Sequence, residues 1–185
     1  AFSGQGLVPV IRDGEREVHD SWDIAMYLDQ TYRDRPSLFD SAQAQALALF
    51  VKHWCERTVH GAMFRAILPD IFANLHEKDK AYFRASREKR FGKTLEELGA
   101  ESRDALPVLR GAFDPIRPLL VTQPFVSGAA PAFADYILFG PFQWARSVSP
   151  VRLIEPDDPM YAWRERMLDL FDGMPRSTRG YPVWA

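Results

Sequence analysis

Leu7-Val8-Pro9-Val10-Ile11, followed by Asp13-Gly14 and then by Asp20-Ser21, is the most informative stretch of this chain. A short apolar run, a tight reversal and a second short run predict a β-hairpin, with strands at residues 8–12 and 17–19. Asp20-Ser21 then predicts the capped start of an amphipathic helix. A small α/β unit is therefore expected near the start of the chain.

Two features of this unit favour the binding of a small extended ligand. The strand entered through Pro9 can leave the N–H and C=O groups of Val8 unpaired, ready to bond an extended peptide by strand addition. The helix N-terminus can hold a carboxylate, because free N–H groups point outward there and the Ser21 hydroxyl adds a donor. An ordinary hairpin followed by a capped helix, without a ligand, is the alternative interpretation.

Composition and charge limit the function classes. The chain has 23 basic and 25 acidic residues among 185, so its net charge of −2 creates no field that favours nucleic acid or an anionic membrane. The single cysteine, Cys55, excludes an internal disulfide and fits a reducing compartment. No apolar run approaches the roughly 18 residues of a membrane span, and the histidines do not converge with enough further ligands for a metal site.

After residue 19 the pattern is helical almost throughout. Apolar residues recur from Ala42 to about Asn74, a span too long for one straight helix unless Gly61 or Pro69 bends it. A charge-rich helix is expected over residues 78–90, and Thr94 with Glu97 has the form of a capping box. Further helices are expected from Ala132 through Trp144 and after Asp157-Asp158-Pro159.

The N-terminal residues resemble the second half of the thioredoxin-like domain of glutathione transferases. In that family Val-Pro, a short hairpin, an acidic residue plus Ser, and a helix ending in Tyr-Leu follow one another, and the matching residues here are Val8-Pro9, Asp20-Ser21 and Tyr27-Leu28. The resemblance implies that Pro9 is cis and that Val8 pairs with the cysteinyl backbone of glutathione. It also implies that Asp20 and Ser21 hold the γ-glutamyl end.

The resemblance implies an α/β plus all-α fold class. The C-terminal half of a thioredoxin-like domain would occupy residues 1–35, an all-helical C-terminal domain residues 36–176, and a loose tail residues 177–185, where Trp184 is a candidate for docking. Phe133-Ala134-Asp135-Tyr136 resembles the buried N-capping segment of the family, which gives Asp135 a structural role. Most members have Ser or Thr where this chain has Ala132, a difference expected to weaken the cap by about 1 kcal/mol.

Longer strings resemble one branch of the family, the bacterial glutathione-dependent β-aryl etherases of lignin degradation and the related fungal transferases. These strings are Asp20-Ser21-Trp22, Ile24-Ala25, Tyr27-Leu28-Asp29, Asp34-Arg35-Pro36, Leu38-Phe39, Phe133-Ala134-Asp135-Tyr136 and Asp169-Leu170-Phe171-Asp172-Gly173. The branch implies glutathione as co-substrate, with its thiolate attacking a carbon that bears an ether or another leaving group. It also implies a small hydrophobic or aromatic electrophile as partner, a homodimer and a cytoplasmic location.

The family's strand-helix-strand unit, which carries the thiol-activating residue, would precede Ala1. We therefore expect that residue upstream, in a segment that is either missing from a truncated sequence or absent from the protein, and truncation is favoured. No residue of this chain is assigned as catalytic. A non-catalytic module that keeps the fold for ligand binding or protein interaction is the alternative function.

The acceptor pocket is expected between this site and the long helix. Trp54, Thr58, Ala62 with Gly61 as its alternative, and Arg65 recur at helical spacing, and Trp144 is a further candidate. Aromatic residues in such a stripe are also typical of a core, and an exposed Arg65 paired with Asp70 or Glu56 is the simpler interpretation of that residue. Cys55 lies in mid-helix, which favours a buried inert thiol over a nucleophile.

Overall fold

The hairpin expected from the sequence is present. The computed structural model of the chain describes residue 4 and residues 6–182. Strands β1 (Val10–Asp13) and β2 (Arg16–His19) pair antiparallel, with Val10 opposite His19 and Asp13 opposite Arg16. Gly14 opens the two-residue turn with a φ of 60°, which glycine adopts without a Cβ clash.

Helix α1 (Ser21–Thr31) packs beside this hairpin and starts where the sequence predicts. The hydroxyls of Tyr27 and Tyr32 donate to Asp13 Oδ2 at 2.8 and 2.5 Å. These two hydrogen bonds lower the pKa of the Asp13 carboxyl, and the one from Tyr32 has the larger effect. The Arg16 guanidinium lies 4.5 Å from the centre of the Tyr27 ring. Together these contacts hold the hairpin against α1 and so position the N-terminus of that helix.

The segment after α1 ties the α/β unit to the helical part. Asp29 Oδ1 accepts a hydrogen bond from the Leu38 N–H at 2.6 Å, and Leu38 O accepts one from Phe133 N–H at 3.1 Å. The rings of Trp22, Phe39 and Phe133 form a cluster with centroids 5.2 to 5.9 Å apart. The N-terminal end of α1 therefore lies against the helical part, and a domain boundary at residue 35 stays a prediction.

The rest of the described chain is helical and buries one apolar core. The helices are α2 (Ala42–Trp54), α3 (His60–Asn74), α4 (Glu77–Phe91), α5 (Leu95–Ala100), α6 (Ser102–Ala112), α7 (Arg117–Thr122), α8 (Phe133–Val148), α9 (Pro159–Leu168) and α10 (Leu170–Ser177). The most extensive packing in this core is that of α3 against α6 and of α2 against α8. The capping box of Thr94 and Glu97 starts α5 as expected. Within the ranges described, no helix has the length and apolar character needed to cross a membrane.

A π-turn at Cys55–Val59 joins α2 to α3. The His60 N–H donates to the Cys55 carbonyl, five residues earlier, so this turn holds more residues than an α-helical turn. The interruption of the long helix therefore precedes Gly61, and Pro69 lies inside α3, so a bend at either residue stays a prediction.

The start of α8 is organised around the buried carboxylate of Asp135. Its Oδ1 accepts from Val126 N–H at 2.7 Å and from the indole N–H of Trp163 at 2.9 Å. Its Oδ2 accepts from Ser127 N–H at 3.1 Å and Ala132 N–H at 3.2 Å. A capping box consists of two reciprocal hydrogen bonds between side chain and backbone. Here the Asp135 carboxylate accepts from Ala132 N–H, but the methyl side chain of Ala132 cannot accept a hydrogen bond, so only one of the two is present. Asp135 thus links a loop, α8 and α9.

The C-terminal helix α10 contains a left-handed turn. Phe171, Asp172 and Gly173 have φ values of 53°, 55° and 75°, so one left-handed turn lies within α10. It places the Phe171 ring 6.3 Å from that of Tyr136.

The end of the described chain is bound to α8 through Arg146. The side chain of this buried arginine donates to Tyr181 O at 3.1 Å, and its carbonyl accepts from Tyr181 N–H at 2.8 Å. The tail expected to be loose is therefore held at Tyr181, whereas Trp184 lies outside the described residues.

Candidate functional site

The residues expected to bind the backbone of glutathione lie at an open edge. The Val8-Pro9 peptide bond is cis, as the resemblance implies. Val8 is 90% exposed and precedes β1, and its N–H and C=O groups have no backbone partner among residues 6–182. An extended peptide can therefore reach both groups.

The N-terminus of α1 keeps free donors beside this edge. Asp20 caps the helix by accepting from Trp22 N–H at 2.8 Å, and its carbonyl accepts from Ile24 N–H at 2.9 Å. The N–H groups of Ser21 and Asp23 have no acceptor in the part of the chain that the structure describes. Asp20 itself has φ 67° and ψ 132°, a sparsely populated conformation that positions this turn.

A cavity of about 760 Å³ opens next to Ser21. This volume lies in the usual range of small-molecule sites, roughly 300–1,000 Å³. The lining residues come from α1, from the long interrupted helix, from α4 and from α8. They are Ser21, Lys52, Glu56, His60, Gly61, Phe64, Arg90, Phe91, Phe133, Tyr136, Ile137, Gly140, Pro141 and Trp144.

Aromatic rings form one wall of this cavity. Phe64 stacks with Phe91 and Trp144, at centroid distances of 5.7 and 6.4 Å and interplanar angles of 19°. Phe133 and Tyr136 extend the wall along α8, where residues three and four apart share a face. Burial raises the pKa of the Tyr136 hydroxyl, so this ring is neutral at neutral pH. Such a wall suits a flat apolar ligand.

Charged and titratable groups lie along another part of the cavity lining. Lys52 Nζ lies 2.6 Å from Glu56 Oε1, and this hydrogen bond lowers the pKa of the Glu56 carboxyl. Partial desolvation lowers the pKa of the His60 imidazole, although the residue as a whole is exposed. The guanidinium of Arg90 lies 5.4 Å from the centre of the Phe91 ring. The cavity thus combines an aromatic wall with a polar edge.

Of the five residues expected in the acceptor pocket, Trp144 lines this cavity, and so does Gly61, the alternative to Ala62. Trp54 packs against the core, Ala62 is buried within it, and Thr58 and Arg65 are exposed outside the cavity lining. Trp54 lies only two residues after Lys52 in α2, so the stripe predicted from Trp54 starts on a different face from the one that lines the cavity. Because each residue of the π-turn advances the helix by a smaller angle, the face that carries Lys52 continues through residues 56, 60 and 64.

The two partners considered for Arg65, Asp70 and Glu56, are paired with other residues. Asp70 accepts from the Ser149 hydroxyl at 2.5 Å and Glu56 pairs with Lys52. The lining residues that sequence reasoning missed include Phe64, Phe91, Arg90 and His60. A signal for them exists in the charge-rich helix, because Phe83, Arg87 and Phe91 recur at helical spacing, as in a partly buried stripe.

Comparison with known proteins establishes the family. The sequence profile described as "Glutathione S-transferase, C-terminal domain" matches residues 46–155, more than half of the chain. The chain belongs to the glutathione S-transferase family. Glutathione S-transferase-like protein ustS of Aspergillus flavus is 29% identical over 168 residues, which cover 83% of this chain and 55% of that protein. This family member therefore spans about half the length of its curated relative.

Solved fungal structures share the architecture of this glutathione S-transferase family member. Glutathione transferase GSTFuA3 from Phanerochaete chrysosporium is 29% identical with a TM-score of 0.68, over 90% of this chain and 65% of that one. The glutathione S-transferase CsGST63524 of Ceriporiopsis subvermispora, solved in complex with glutathione, is 26% identical with a TM-score of 0.68, over 92% and 68% of the two chains. The hairpin, α1 and the helical part are thus parts of one family fold.

In this family member Cys55 is expected to be chemically inert. It is fully buried, and burial raises the pKa of its thiol to about 12. In the folded protein at pH 8, we expect iodoacetamide to label Cys55 at least about a hundredfold more slowly than in 8 M urea, because the thiolate is scarce and inaccessible. Mass spectrometry of the Cys55 peptide over time measures both rates. Rapid labelling of the native protein would reopen a nucleophilic role.

Proposed function

We propose that this chain supplies the glutathione-binding edge and the acceptor pocket of an active glutathione transferase. The observation that carries the proposal is that Ser21, at the N-terminus of α1, lines the same cavity as the aromatic wall. A tripeptide bonded at Val8 and Ser21 would therefore have its thiol close to an apolar compartment. The glutathione-bound fungal relative supports this use of the fold.

Each predicted glutathione contact has a chemical reason in the structure. The exposed N–H and C=O groups of Val8, next to Pro9, suit the cysteinyl backbone of the tripeptide. The free N–H of Ser21 and its hydroxyl suit the γ-glutamyl carboxylate at a helix N-terminus. Asp20 caps the helix with one carboxylate oxygen, and the other oxygen is proposed to meet the γ-glutamyl ammonium group.

The proposed reaction is attack of the glutathione thiolate on an aromatic or ether-type electrophile. For a β-aryl ether, a sulfur–carbon bond forms, the carbon–oxygen bond breaks, and the phenolate that leaves takes a proton from water. A free thiol has a pKa of about 8.5, which hydrogen bonding lowers towards neutrality. We still expect the residue that activates the thiol to lie upstream of Ala1. The same proposal includes a homodimer and a cytoplasmic location.

Replacing Ser21 by alanine tests the glutathione site. Loss of the hydroxyl donor to a charged carboxylate is expected to weaken glutathione binding by at least about tenfold. Isothermal titration of the full-length protein measures the change. Ser102→Ala is the matched control, because Ser102 is also the first residue of a helix but lies in α6, away from the cavity lining. Unchanged binding in Ser21→Ala would contradict the assigned site.

Turnover separates an enzyme from a binding module. We expect the full-length protein to consume glutathione with a generic electrophile such as 1-chloro-2,4-dinitrobenzene, and a β-aryl ether tests the narrower proposal. Chromatography of the products identifies the glutathione conjugate and the released phenol. Glutathione binding without conjugation of either compound would favour a non-catalytic ligand-binding module of the same fold.

A further inference from the structure

We propose that the acceptor cavity is specific for aromatic molecules that carry an anionic group, and that the guanidinium of Arg90 binds that group. This inference rests on the proposed transferase function and specifies its substrate class. Arg90 becomes a specificity-determining residue, next to the ring of Phe91 at the end of α4. The aromatic wall would hold the rings of the ligand, while Arg90 would hold its carboxylate, sulfonate or phenolate.

The charges that line the cavity do not cancel. Lys52 and Glu56 neutralise each other as an ion pair at 2.6 Å. His60 is uncharged at neutral pH, because desolvation lowers the pKa of its imidazole. Arg90 remains, and in the described part of the chain no carboxylate forms an ion pair with it. The cavity lining therefore carries one uncompensated positive charge.

The surroundings of Arg90 strengthen this field. Arg87, one turn earlier on α4, lies with its guanidinium 4.6 Å from the centre of the Phe83 ring and 5.8 Å from that of Phe64. Among the described residues, no carboxylate forms an ion pair with Arg87 either, and Glu56 is the one acidic residue of the cavity lining. Arg90, an exposed residue of the cavity lining, and the half-buried Arg87, outside that lining, thus place two positive charges beside the aromatic wall.

The geometry also favours guanidinium recognition over a bulk charge effect. Arg90 presents up to five N–H donors in a planar fork, which matches the two oxygens of a carboxylate or sulfonate. Its neighbour Phe91 stacks with Phe64, so a ring placed against that pair has its substituents close to the fork. Lys89 precedes Arg90, carries the same charge and does not line the cavity. Arg90 therefore differs from Lys89 in its position at the cavity and not in the sign of its charge.

A pair of fluorescent probes tests the proposal in the full-length protein. 1-Anilinonaphthalene-8-sulfonate is an anion, and N-phenyl-1-naphthylamine has the same rings without the sulfonate. Both are titrated with saturating glutathione present, into the parent protein, Arg90→Met, Arg90→Lys and the matched control Lys89→Met. Gly140→Leu, which places a side chain in the cavity, shows whether the probes bind there. Glutathione binding is measured separately on each protein.

In Arg90→Met the sulfonate probe is expected to bind about tenfold more weakly, because one charge-assisted contact is lost, while the neutral probe stays within about twofold. Arg90→Lys should recover part of the sulfonate affinity, and Lys89→Met should leave both probes within about twofold. Equal weakening of both probes, no change in either, or loss of glutathione affinity alone would overturn the proposal. Unchanged glutathione binding in Ser21→Ala overturns the proposed function instead, so the two failures are distinguishable.

Discussion

Asp135→Ala is expected to lower the free energy of unfolding by about 3 to 5 kcal/mol, a large part of the roughly 5–15 kcal/mol of a typical domain. The substitution leaves four donors without their acceptor, namely the buried N–H groups of Val126 and Ala132, the buried indole of Trp163 and the part-buried N–H of Ser127. Each unsatisfied buried donor costs about 1–3 kcal/mol, and water entering the space recovers part of the sum. Urea denaturation of the full-length protein followed by circular dichroism measures the change.

Milder variants keep this prediction testable if Asp135→Ala does not fold. Trp163→Phe removes one donor and keeps an aromatic ring, so it should cost about 1 kcal/mol through the lost hydrogen bond and a further amount through the space that the smaller ring leaves. Asp104→Ala is the matched control, because this exposed aspartate lies in the first turn of α6. It is expected to change stability by less than about 0.5 kcal/mol. A loss below about 1 kcal/mol in Asp135→Ala would contradict the role given to the carboxylate.

Gly140→Leu is expected to reduce the affinity of a neutral aromatic ligand and kcat/KM towards an aromatic electrophile by at least about tenfold. Gly140 lines the cavity from α8, and a Cβ added there meets no other heavy atom within 4 Å. The leucine side chain therefore extends into the open space where the ligand would lie. Titration with N-phenyl-1-naphthylamine and initial rates with 1-chloro-2,4-dinitrobenzene measure the two effects.

The fold should tolerate this substitution. Leucine is a better helix former than glycine by up to about 1 kcal/mol, so the stability of α8 should not fall. Gly111→Leu is the matched control, because Gly111 also lies in a helix, also has open space at its Cβ, and is outside the cavity lining. If Gly140→Leu bound and converted the aromatic compounds like Gly111→Leu, the acceptor would have to bind elsewhere.

Local chemistry made the N-terminal unit predictable. Gly14 marks the turn, and the Asp20 carboxylate caps α1 within two residues of its own position. The capping box at Thr94 is equally local and appears as expected. Such signals depend on neighbours in the sequence, which is why they can be recognised without knowledge of the tertiary structure.

The cavity wall was less predictable, because it depends on a change of helical period that no residue type announces. With an uninterrupted 3.6-residue period Lys52 and Phe64 would lie about 120° apart around the helix, whereas the π-turn brings both to the cavity. The stripe of Trp54, Thr58 and Arg65 starts on another face of α2 and continues without that turn. The position of Arg90 at the cavity could not be predicted from the sequence either, because it depends on how α4 packs against α3. The chain around Cys55 contains no proline or glycine that would signal a change of helical period.

The π-turn at Cys55–Val59 has a consequence for how relatives of this protein are aligned and engineered. A relative whose helix runs straight through this point would present a different set of side chains to its ligand, even if its composition were the same. An alignment without a gap there would then equate residues that lie about 100° apart around the helix. A change of chain length by a single amino acid at this point offers evolution a route to new substrates that leaves the framework unchanged.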